Sequence, residues 1–539
     1  MSLFKKINNK IIKSYVEHNK KYFTKIISDE KILVEFNAFQ STHVAFSYLA
    51  NVLSNRYNAS IQPFFNYTIL SAPAFPNYLI KIKWYLSKKI NFFNHKIYNS
   101  FGSLSCLKPN ISKRNLNDAK LIKKEIFKKI SNKNDILEIN YKGILVGDLL
   151  YDTYLKAKNK PTIDIKSDEF NIFSEEFLGL CEFWIEYFKE NKIKAIIASH
   201  SVYSYAIPLR IAIHNNIDAF GCTSRHVIKL NKYQFRMHAN TNEYEKIFEN
   251  LDKKTQQNGI NKAKETLQNR TAGKITTNAG FFGNVKISPF NKKNYKSEIA
   301  QDEKIKVLIL PHDFFDAVHF YGNGIFPDFY EWLKFLGDYS KKNNRYSWYI
   351  KLRPDYTGKY AYFHKITEGI VNKFLIRNPQ IKKISNNYSL HQIKDENIDF
   401  VLTVHGTAAL EFALINGPMV INASKNNPHF NYNFSLSPKN LEEYIITLND
   451  LENIKLKKRI INFDDIYRYY FIRHFYNDKN WLIDQNKLIE TFKKWDNQFS
   501  ENFYLYWMKN FTESNHKNII SRLNKFIQSK DMSINIKTK

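Results

Sequence analysis

Short apolar runs alternate with amphipathic runs twice along this chain, and this alternation restricts the folds open to it. The first set starts at "KILVEF" (31–36) and continues to about residue 216, and the second runs from "KIKVLILP" (304–311) to "PMVINAS" (418–424). Strands that alternate with helices predict parallel sheets joined by helical crossovers. The polar, charged stretch 231–300 between the two sets predicts the connection between two domains.

We therefore predict an α/β fold built from two doubly wound, Rossmann-like domains. Residues 1–290 form the first domain with its linker, residues 300–438 form the second, and residues 439–539 form a helical C-terminal segment. The length of 539 residues agrees with this division, because a single hydrophobic core rarely grows beyond about 250–300 residues.

The net charge of +30 raises the question of an anionic partner. The lysines lie along nearly the whole chain, with no long Arg-rich block, which is typical of a general residue bias and not of a specific nucleic-acid site. Scattered lysines can add attraction to an anionic membrane surface. We expect no specific nucleic-acid partner, and an anionic membrane surface at most as a supplement to an enzymatic role.

The cysteines and the hydropathy pattern indicate in which cellular compartment the protein is found. Cys106, Cys181 and Cys222 form no CxxC pair, so neither a disulfide framework nor a zinc site is indicated. The basic N-terminus lacks a signal-peptide core, and no window approaches the roughly 20 apolar residues that span a bilayer. The sequence predicts a cytoplasmic protein, at most peripheral at the inner face of the membrane.

The stretch "DFVLTVHGTAALEFALIN" (399–416) predicts a strand, a corner at His405-Gly406-Thr407 and a helix; we call these three residues the HGT corner. In open parallel sheets, ligands lie beyond the carboxyl ends of the strands. Gly406 permits close approach of a ligand, and the helix start suits a phosphate. Thr407 is placed to cap the helix or to bind phosphate, and Glu411 to bind ribose hydroxyls. The alternative is an ordinary turn with a solvent-facing Glu411.

Polar groups follow other strands of the second set. Lys351 and Arg353 in "YIKLRPD" are placed to neutralise a pyrophosphate, unless they are simply solvated cations. His429 follows the strand after the HGT corner and is placed to line the same cleft. The segment "LPHDFFDAVHFYG" offers four groups whose spacing matches no defined metal motif: His312, Asp313, Asp316 and His319. We expect no metal site.

Three strand ends of the first set also carry polar groups. They are Asn37 and Gln40 with His43, Gly147 with Asp148, and His200 with Ser201 and Tyr203. If the two halves face each other, these groups oppose the HGT corner and serve the acceptor side. The alternative is that the histidines are structural.

The corner "HGTAALE" resembles the Ser/His-Gly-Thr-x-x-x-Glu pattern of nucleotide-sugar glycosyltransferases of GT-B architecture. Together with "GDLLYDTYL", "SHSVYSYAIPLRIAI" and "YIKLRPD", it is similar to bacterial capsule and surface-polysaccharide biosynthesis proteins over about residues 140–435. The resemblance implies two Rossmann-like domains facing a central cleft. It also implies that Gly406 and Thr407 meet the donor phosphates, that Glu411 meets the ribose, and that no metal or other cofactor is needed.

One position departs from the pattern of the resemblance. Relatives commonly have Lys-x-His-Pro where this chain has Lys351-Leu352-Arg353-Pro354, and in relatives that use CMP-sugars the His-Pro pair contacts the donor. Arg353 can still bind a phosphate. The substitution leaves open which nucleotide is bound and whether activity is retained.

The sequence predicts a glycosyltransferase that moves a sugar from a nucleotide sugar to a growing capsular or surface polysaccharide. The donor-side residues are Lys351, Arg353, His405, Gly406, Thr407, Glu411, His312, Asp313 and His429. A general base is needed for an inverting reaction, and the candidates are Asp148, His43 and His200. The acceptor would be a glycan or a lipid-linked glycan.

Other functions stay open. A nucleotide-sugar epimerase and a polyol-phosphate transferase share the fold. A non-catalytic glycan- or membrane-associated component of a capsule assembly complex would suit the departure at Arg353. Charge-driven RNA binding would be marked by an affinity that disappears at moderate salt.

Overall fold

The computed structural model describes eleven stretches of the chain: 9–37, 39–66, 70, 92–237, 243–274, 288–291, 296–353, 361–457, 460–478, 480–492 and 500–538. The chain forms two compact units. Unit 1 comprises Met1–Lys158, Asp164–Met237 and Asn477–Lys539, and unit 2 comprises Asn159–Ile163 and His238–Tyr476.

Unit 1 contains a five-stranded sheet and a short hairpin. Its strands are β1 (Glu30–Glu35), β2 (Ser60–Phe64), β3 (Asn140–Tyr141), β4 (Ile144–Leu145), β5 (Lys192–Ala198), β6 (Asp218–Cys222) and β7 (Val227–Leu230). The sheet order is β2-β1-β5-β6-β7, and β3 pairs with β4. The pairs among β2, β1, β5 and β6 are parallel, whereas β7 runs antiparallel to β6.

The helices of unit 1 cover the sheet with aromatic and aliphatic faces. They begin with α1 (Asn9–Tyr22), α2 (Gln40–Tyr57), α3 (Phe92–Ser100), α4 (Lys113–Phe127), α5 (Lys133–Leu137), α6 (Gly147–Lys158), α7 (Asp168–Glu190) and α8 (Ile207–His214). Helix α7 shows why such segments are helical. The Ser167 side chain accepts a hydrogen bond from the Phe170 amide, and Phe170, Phe173, Phe177 and Trp184 are buried along one face.

Unit 2 contains a five-stranded sheet whose strand pairs are all parallel. The strands are β8 (Ile305–Ile309), β9 (Tyr346–Ile350), β10 (Ile381–Lys383), β11 (Phe400–Thr403) and β12 (Met419–Asn422), in the order β10-β9-β8-β11-β12. This is the 3-2-1-4-5 order of a doubly wound sheet, which opens a crevice where the order reverses, between β8 and β11. The predicted α/β class with parallel sheets is confirmed.

The helices of unit 2 include several short ones. They are α9 (Tyr244–Glu249), α10 (Lys253–Thr271), α11 (Phe329–Lys342), α12 (Ala361–Arg377), α13 (Leu390–Asp395), α14 (Ala408–Leu414), α15 (Leu441–Asn449), α16 (Leu451–Leu456) and α17 (Phe463–Phe471), which continues as a π-helical turn, Ile472–Tyr476. Asp328 caps α11 by accepting hydrogen bonds from the Tyr330 and Glu331 amides.

The last helices return to unit 1, so the predicted C-terminal segment 439–539 is divided between the two units. They are α18 (Gln485–Phe492), α19 (Asn502–Lys509) and α20 (Glu513–Gln528). The Lys229 amide donates to the Met532 carbonyl over 2.7 Å, and the Ile534 amide donates to the Val227 carbonyl over 3.0 Å. These bonds hold the chain end against β7, an edge strand that would otherwise expose its backbone groups.

The boundary between the units lies at residues 237–238, whereas the sequence places it near residue 290. Helix α10, assigned to the first domain by the prediction, packs in unit 2. A Cβ atom on Gly259 would lie 2.5 Å from the ring of Phe471, so α10 and α17 are in close contact there. Gly280 and Gly283 of the predicted linker lie outside the described residues. Among the described helices, none combines the length and the hydropathy needed to cross a membrane.

Candidate functional site

The carboxyl ends of four strands of unit 2 bring predicted residues to one edge of the sheet. His312 follows β8, Lys351 follows β9, His405 follows β11 and His429 follows β12. The ring centroids of His312 and His405 lie 4.7 Å apart. Strands β8 and β11 are the neighbours at which the order reverses, so the HGT corner stands at the expected ligand-binding edge.

The backbone at the HGT corner is open to a ligand. Gly406 has a φ of +127°, and a Cβ atom there would meet within 4 Å only Cε1 of His312, at 3.7 Å. The position therefore requires glycine for its backbone conformation and not for want of space. Thr407 is exposed and makes no capping hydrogen bond. The predicted capping role of Thr407 is wrong, because this residue already has helical φ and ψ.

The three histidines at this edge are held neutral. Burial lowers the pKa of His405 to about 3, and the charges of Arg353 and Arg473 add to the effect. Burial also lowers the pKa of His429 to about 3 and that of His312 well below its ordinary value. The His429 Nε2–H donates to the Gly406 carbonyl over 2.6 Å. Because the rings are neutral, the histidines add no positive charge at the HGT corner, whereas Arg353 and Arg473 do.

Two buried ring nitrogens at this edge make no hydrogen bond within the described residues. Within the described residues, Nε2 of His405 and Nδ1 of His429 are buried and make no hydrogen bond. Leaving a buried polar atom unsatisfied costs about 1–3 kcal/mol. The edge therefore contains buried polar atoms that have no hydrogen-bond partner among the described residues.

Arg473 belongs to the site although the sequence did not reveal it. It lies in the π-helical turn after α17, a segment assigned to the C-terminal extension. It donates to the Tyr321 hydroxyl over 2.8 Å and lies over the Tyr469 ring, 5.8 Å from the centroid. Arg353 is half-exposed, and its Nη1 lies 3.4 Å from a carboxylate oxygen of Asp313. Pro354 and Asp355 lie outside the described residues.

Glu411 is buried, so the alternative of a solvent-facing acid is wrong. Its carboxylate forms an ion pair with Arg270 from α10. Lys351 is buried close by. Burial lowers its pKa to about 8, and attraction to Glu411 offsets part of that effect. Two cations and one anion thus share this interior position, an excess of one positive charge that favours an anionic ligand at the adjoining edge.

His43 is structural in unit 1. It is fully buried on α2, its Nε2–H donates to the Asn37 carbonyl over 2.8 Å, and its Nδ1 accepts from the Tyr504 hydroxyl over 2.6 Å. Burial lowers its pKa to about 4, although the bond to Asn37 opposes this. Both nitrogens are occupied, so the geometry argues against a general base at His43.

Asp148 is also held by two ion pairs. Its carboxylate lies 2.8 Å from Arg210 and 2.6 Å from Arg236, and it is buried at the start of α6. Burial would raise its pKa, but the two arginines outweigh this and hold the pKa at about 2. A carboxylate that is paired twice and so weakly basic is poorly suited to accept a proton near neutral pH.

His200 is oriented by its neighbours at the carboxyl end of β5. The buried Glu35 carboxylate at the end of β1 accepts hydrogen bonds from the Ser199 amide and hydroxyl, each over 2.6 Å. The Ser199 hydroxyl is thereby left to accept from Nδ1–H of the exposed His200, over 2.7 Å. In this arrangement of hydrogen bonds, the neutral ring of His200 is protonated on Nδ1 and carries its lone pair on Nε2. Tyr203, at φ +58°, marks the same edge as conformationally strained.

The remaining predicted groups are dispersed. The side chain of His319 is buried against the Pro327 carbonyl, 2.9 Å from its Nε2, whereas Asp316 is exposed. Asp313 accepts from the Thr367 hydroxyl over 3.1 Å in addition to its contact with Arg353. Among the described residues, no group of three or more His, Cys, Asp or Glu side chains is placed to hold a metal ion.

Comparisons with known proteins give no family and include likenesses to solved structures at low identity. No family model and no curated protein matches this chain. Three of the solved structures that show a likeness are described here. UDP-GlcNAc 2-epimerase from Methanocaldococcus jannaschii gives 10% identity and a TM-score of 0.25 over 82% of this chain and 98% of that chain. The structure of S. aureus MnaA with UDP gives 9% sequence identity and a TM-score of 0.26, over 90% of this chain and 98% of that chain.

UDP-GlcNAc 2-epimerase from Neisseria meningitidis, bound to UDP-GlcNAc, gives 8% identity and a TM-score of 0.22, over 89% of this chain and all of that chain. TM-scores this low carry no argument about the fold, the site or the function of this chain. The description of the fold and of the candidate site rests on the sheet order and on the geometry of the strand ends.

Proposed function

We propose that unit 2 binds a nucleotide sugar at the HGT corner, and that the protein transfers the sugar to a growing capsular or surface polysaccharide. The observation that supports this best is the convergence of three features at the switch edge of the sheet. They are an open glycine, a positive potential from Arg353 and Arg473, and a buried carboxylate, Glu411.

Each donor-side residue has a role that follows from its position. The backbone at Gly406 and the Thr407 hydroxyl receive the donor phosphate, and Arg353 and Arg473 stabilise the charge that develops on the leaving nucleotide. The Glu411 carboxylate accepts hydrogen bonds from the ribose hydroxyls while it stays paired with Arg270. The buried Lys351 adds to the positive potential at this edge of the sheet. The site needs no metal for these roles.

The neutral rings supply hydrogen bonds and shape. His405 and His429 offer the buried nitrogens that lack partners within the described residues. His312 accepts from the His405 amide over 3.4 Å and so supports the corner. Asp313 holds Arg353 in place. We therefore expect these histidines to act as donors or acceptors toward the ligand, not as charged groups.

The acceptor-side base in this proposal is His200, oriented by Ser199 and Glu35. It would take the proton of the acceptor hydroxyl as the sugar is transferred. The expected signature is a pH profile of the transfer rate that loses its acid limb in His200→Gln. An unchanged profile in that variant would remove His200 from the mechanism.

Thermal denaturation with nucleotides tests donor binding directly. The purified protein would be titrated with UDP, CMP, GDP and dTDP, with and without magnesium, since a ligand of the native state raises its stability. We expect one nucleotide to stabilise the wild type and to bind about ten- to a hundredfold more weakly to Arg353→Gln and Glu411→Gln. Glu442→Gln, at an exposed acid of α15, is the matched control.

Product analysis with the labelled nucleotide sugar then separates the enzymatic functions. Transfer to a polysaccharide extract supports the proposal. Conversion of the sugar without an acceptor would identify an epimerase. Transfer of a polyol phosphate from a labelled nucleotide-activated polyol, assayed in parallel, would identify the polyol-phosphate transferase. If no nucleotide shifts the wild type, the proposal fails and a non-catalytic capsule component is favoured.

A further inference from the structure

Unit 1 carries a groove that none of the proposed catalytic roles uses. It lies between the end of α1, the second half of α2 and α20, and it has a volume of about 590 Å³. That volume falls in the range of about 300–1,000 Å³ found for small-ligand sites. The groove is therefore large enough for a bound ligand.

The lining combines aromatic and apolar side chains with carboxamides. Phe23, Tyr48 and Val52 are buried beneath the groove surface, whereas the ring of Tyr22 is partly exposed. Asn55 and Asn524 also line the groove. Aromatic rings pack against the apolar faces of sugar rings, and carboxamides serve hydroxyl groups as donor and acceptor at once. This combination is the chemistry that recognises a carbohydrate.

The carboxamides retain hydrogen-bonding capacity for a ligand. The Asn55 Nδ2 group donates to the Asn51 carbonyl over 2.9 Å, which directs its Oδ1 as an acceptor. The side chain of Asn524 makes no hydrogen bond within the described residues. Arg56 is the one charged side chain among the described lining residues, and no acid is among them. A ligand with hydroxyls, and with or without an acidic substituent, fits this set.

The groove is distant from the catalytic edge of unit 1. Helix α2 leaves the carboxyl end of β1 and delivers the chain to the amino end of β2. Asn55 lies twelve residues after His43, which corresponds to about 18 Å along the helix axis. The groove is therefore at the opposite edge of the sheet from His200.

We infer that this groove binds an internal oligosaccharide segment of the acceptor polysaccharide, away from the end that receives the sugar. The inference rests on the proposed function in taking the acceptor to be that polysaccharide. A second contact of this kind would keep a growing chain attached between transfers, because linked contacts raise the effective local concentration of the acceptor.

Direct binding without nucleotide tests the groove. The probes are neutral and acidic oligosaccharides released by partial hydrolysis of the surface polysaccharide of the strain that encodes the chain, titrated by calorimetry. We expect the wild type to bind and Asn55→Ala and Asn524→Ala each to bind about five- to tenfold more weakly. Asn518→Ala, at an exposed asparagine of the same helix α20, is expected to bind as the wild type does.

Asn524→Trp separates loss of the groove from loss of the fold. The indole would project into the groove and obstruct it, and the variant is expected to unfold like the wild type yet to lose oligosaccharide binding. No binding by the wild type, or equal binding by Asn524→Trp, would overturn the inference. Binding of oligosaccharide without binding of any nucleotide would leave the groove standing and refute the transferase function.

Discussion

Lys351→Met is the most informative perturbation of unit 2, because it separates stability from ligand binding. The pKa of Lys351 falls from its ordinary value of 10.5 to about 8 on burial, a net effect that already includes the attraction of Glu411. At about 1.4 kcal/mol per pKa unit, holding this charge in the folded protein costs on the order of 3 kcal/mol. Arg270 remains as the partner of Glu411 in the variant.

The sign of the effect follows from the proton balance. Below pH 8 the lysine is protonated in both states, so the whole cost is present at pH 7. Between about pH 8 and 10.5 the unfolded chain binds more protons than the folded one, and the stability of the wild type rises with pH. We expect Lys351→Met to be more stable at pH 7 by about 1–3 kcal/mol, since the methionine fills most of the same volume.

Urea denaturation followed by circular dichroism measures this difference. The advantage of the variant should shrink as the pH rises from 8 to 10, and its affinity for the stabilising nucleotide should fall. Lys382→Met, at an exposed lysine of β10, is the matched control and should change stability by less than about 0.5 kcal/mol. A variant that is less stable than the wild type at pH 7 would refute the reasoning.

Three further changes test particular contacts. Gly406→Ala should cost about 1–3 kcal/mol through backbone strain at φ +127° and abolish nucleotide binding, and unchanged calorimetry would contradict this. Asp148→Asn leaves two arginines unpaired and should cost about 3–5 kcal/mol at pH 7. In the wild type, the pKa of Asp148 is about 2, below the ordinary 3.8, so about 2 kcal/mol of stability should disappear as the pH falls from 4 to 2. Acid titration should not find this loss in the variant. Gly259→Ala should destabilise unit 2 by about 1–3 kcal/mol through its 2.5 Å overlap with a ring, whereas Gly369→Ala, with nothing within 4 Å, should add up to about 1 kcal/mol; equal melting shifts would contradict the packing of α10.

The candidate site divides into residues that local sequence places and residues that it cannot. A strand end and the residues after it are read from the local pattern, so His312, Lys351, Gly406 and His429 were found and lie at one edge. Arg473 was missed because no local pattern links it to the HGT corner.

The interpretation of Asp148 and His43 as bases required knowledge of their partners. Asp148 meets Arg210 and Arg236, and His43 meets Tyr504, which is 461 positions away in the sequence. Hydrogen bonds and ion pairs of this kind decide whether a titratable group can accept a proton. They are made by tertiary packing, which the types of neighbouring residues do not reveal.

The sequence by itself determined the α/β class, the parallel strands and the corner at Gly406, because hydrophobic periodicity and glycine act over a few residues. Only the tertiary structure decided that α10 packs in unit 2 and that the residues from Asn477 onward complete unit 1. It also decided that Glu411 is buried against Arg270, 141 residues earlier. Such pairings depend on which distant surfaces meet, and their energies arise only once both partners have been desolvated.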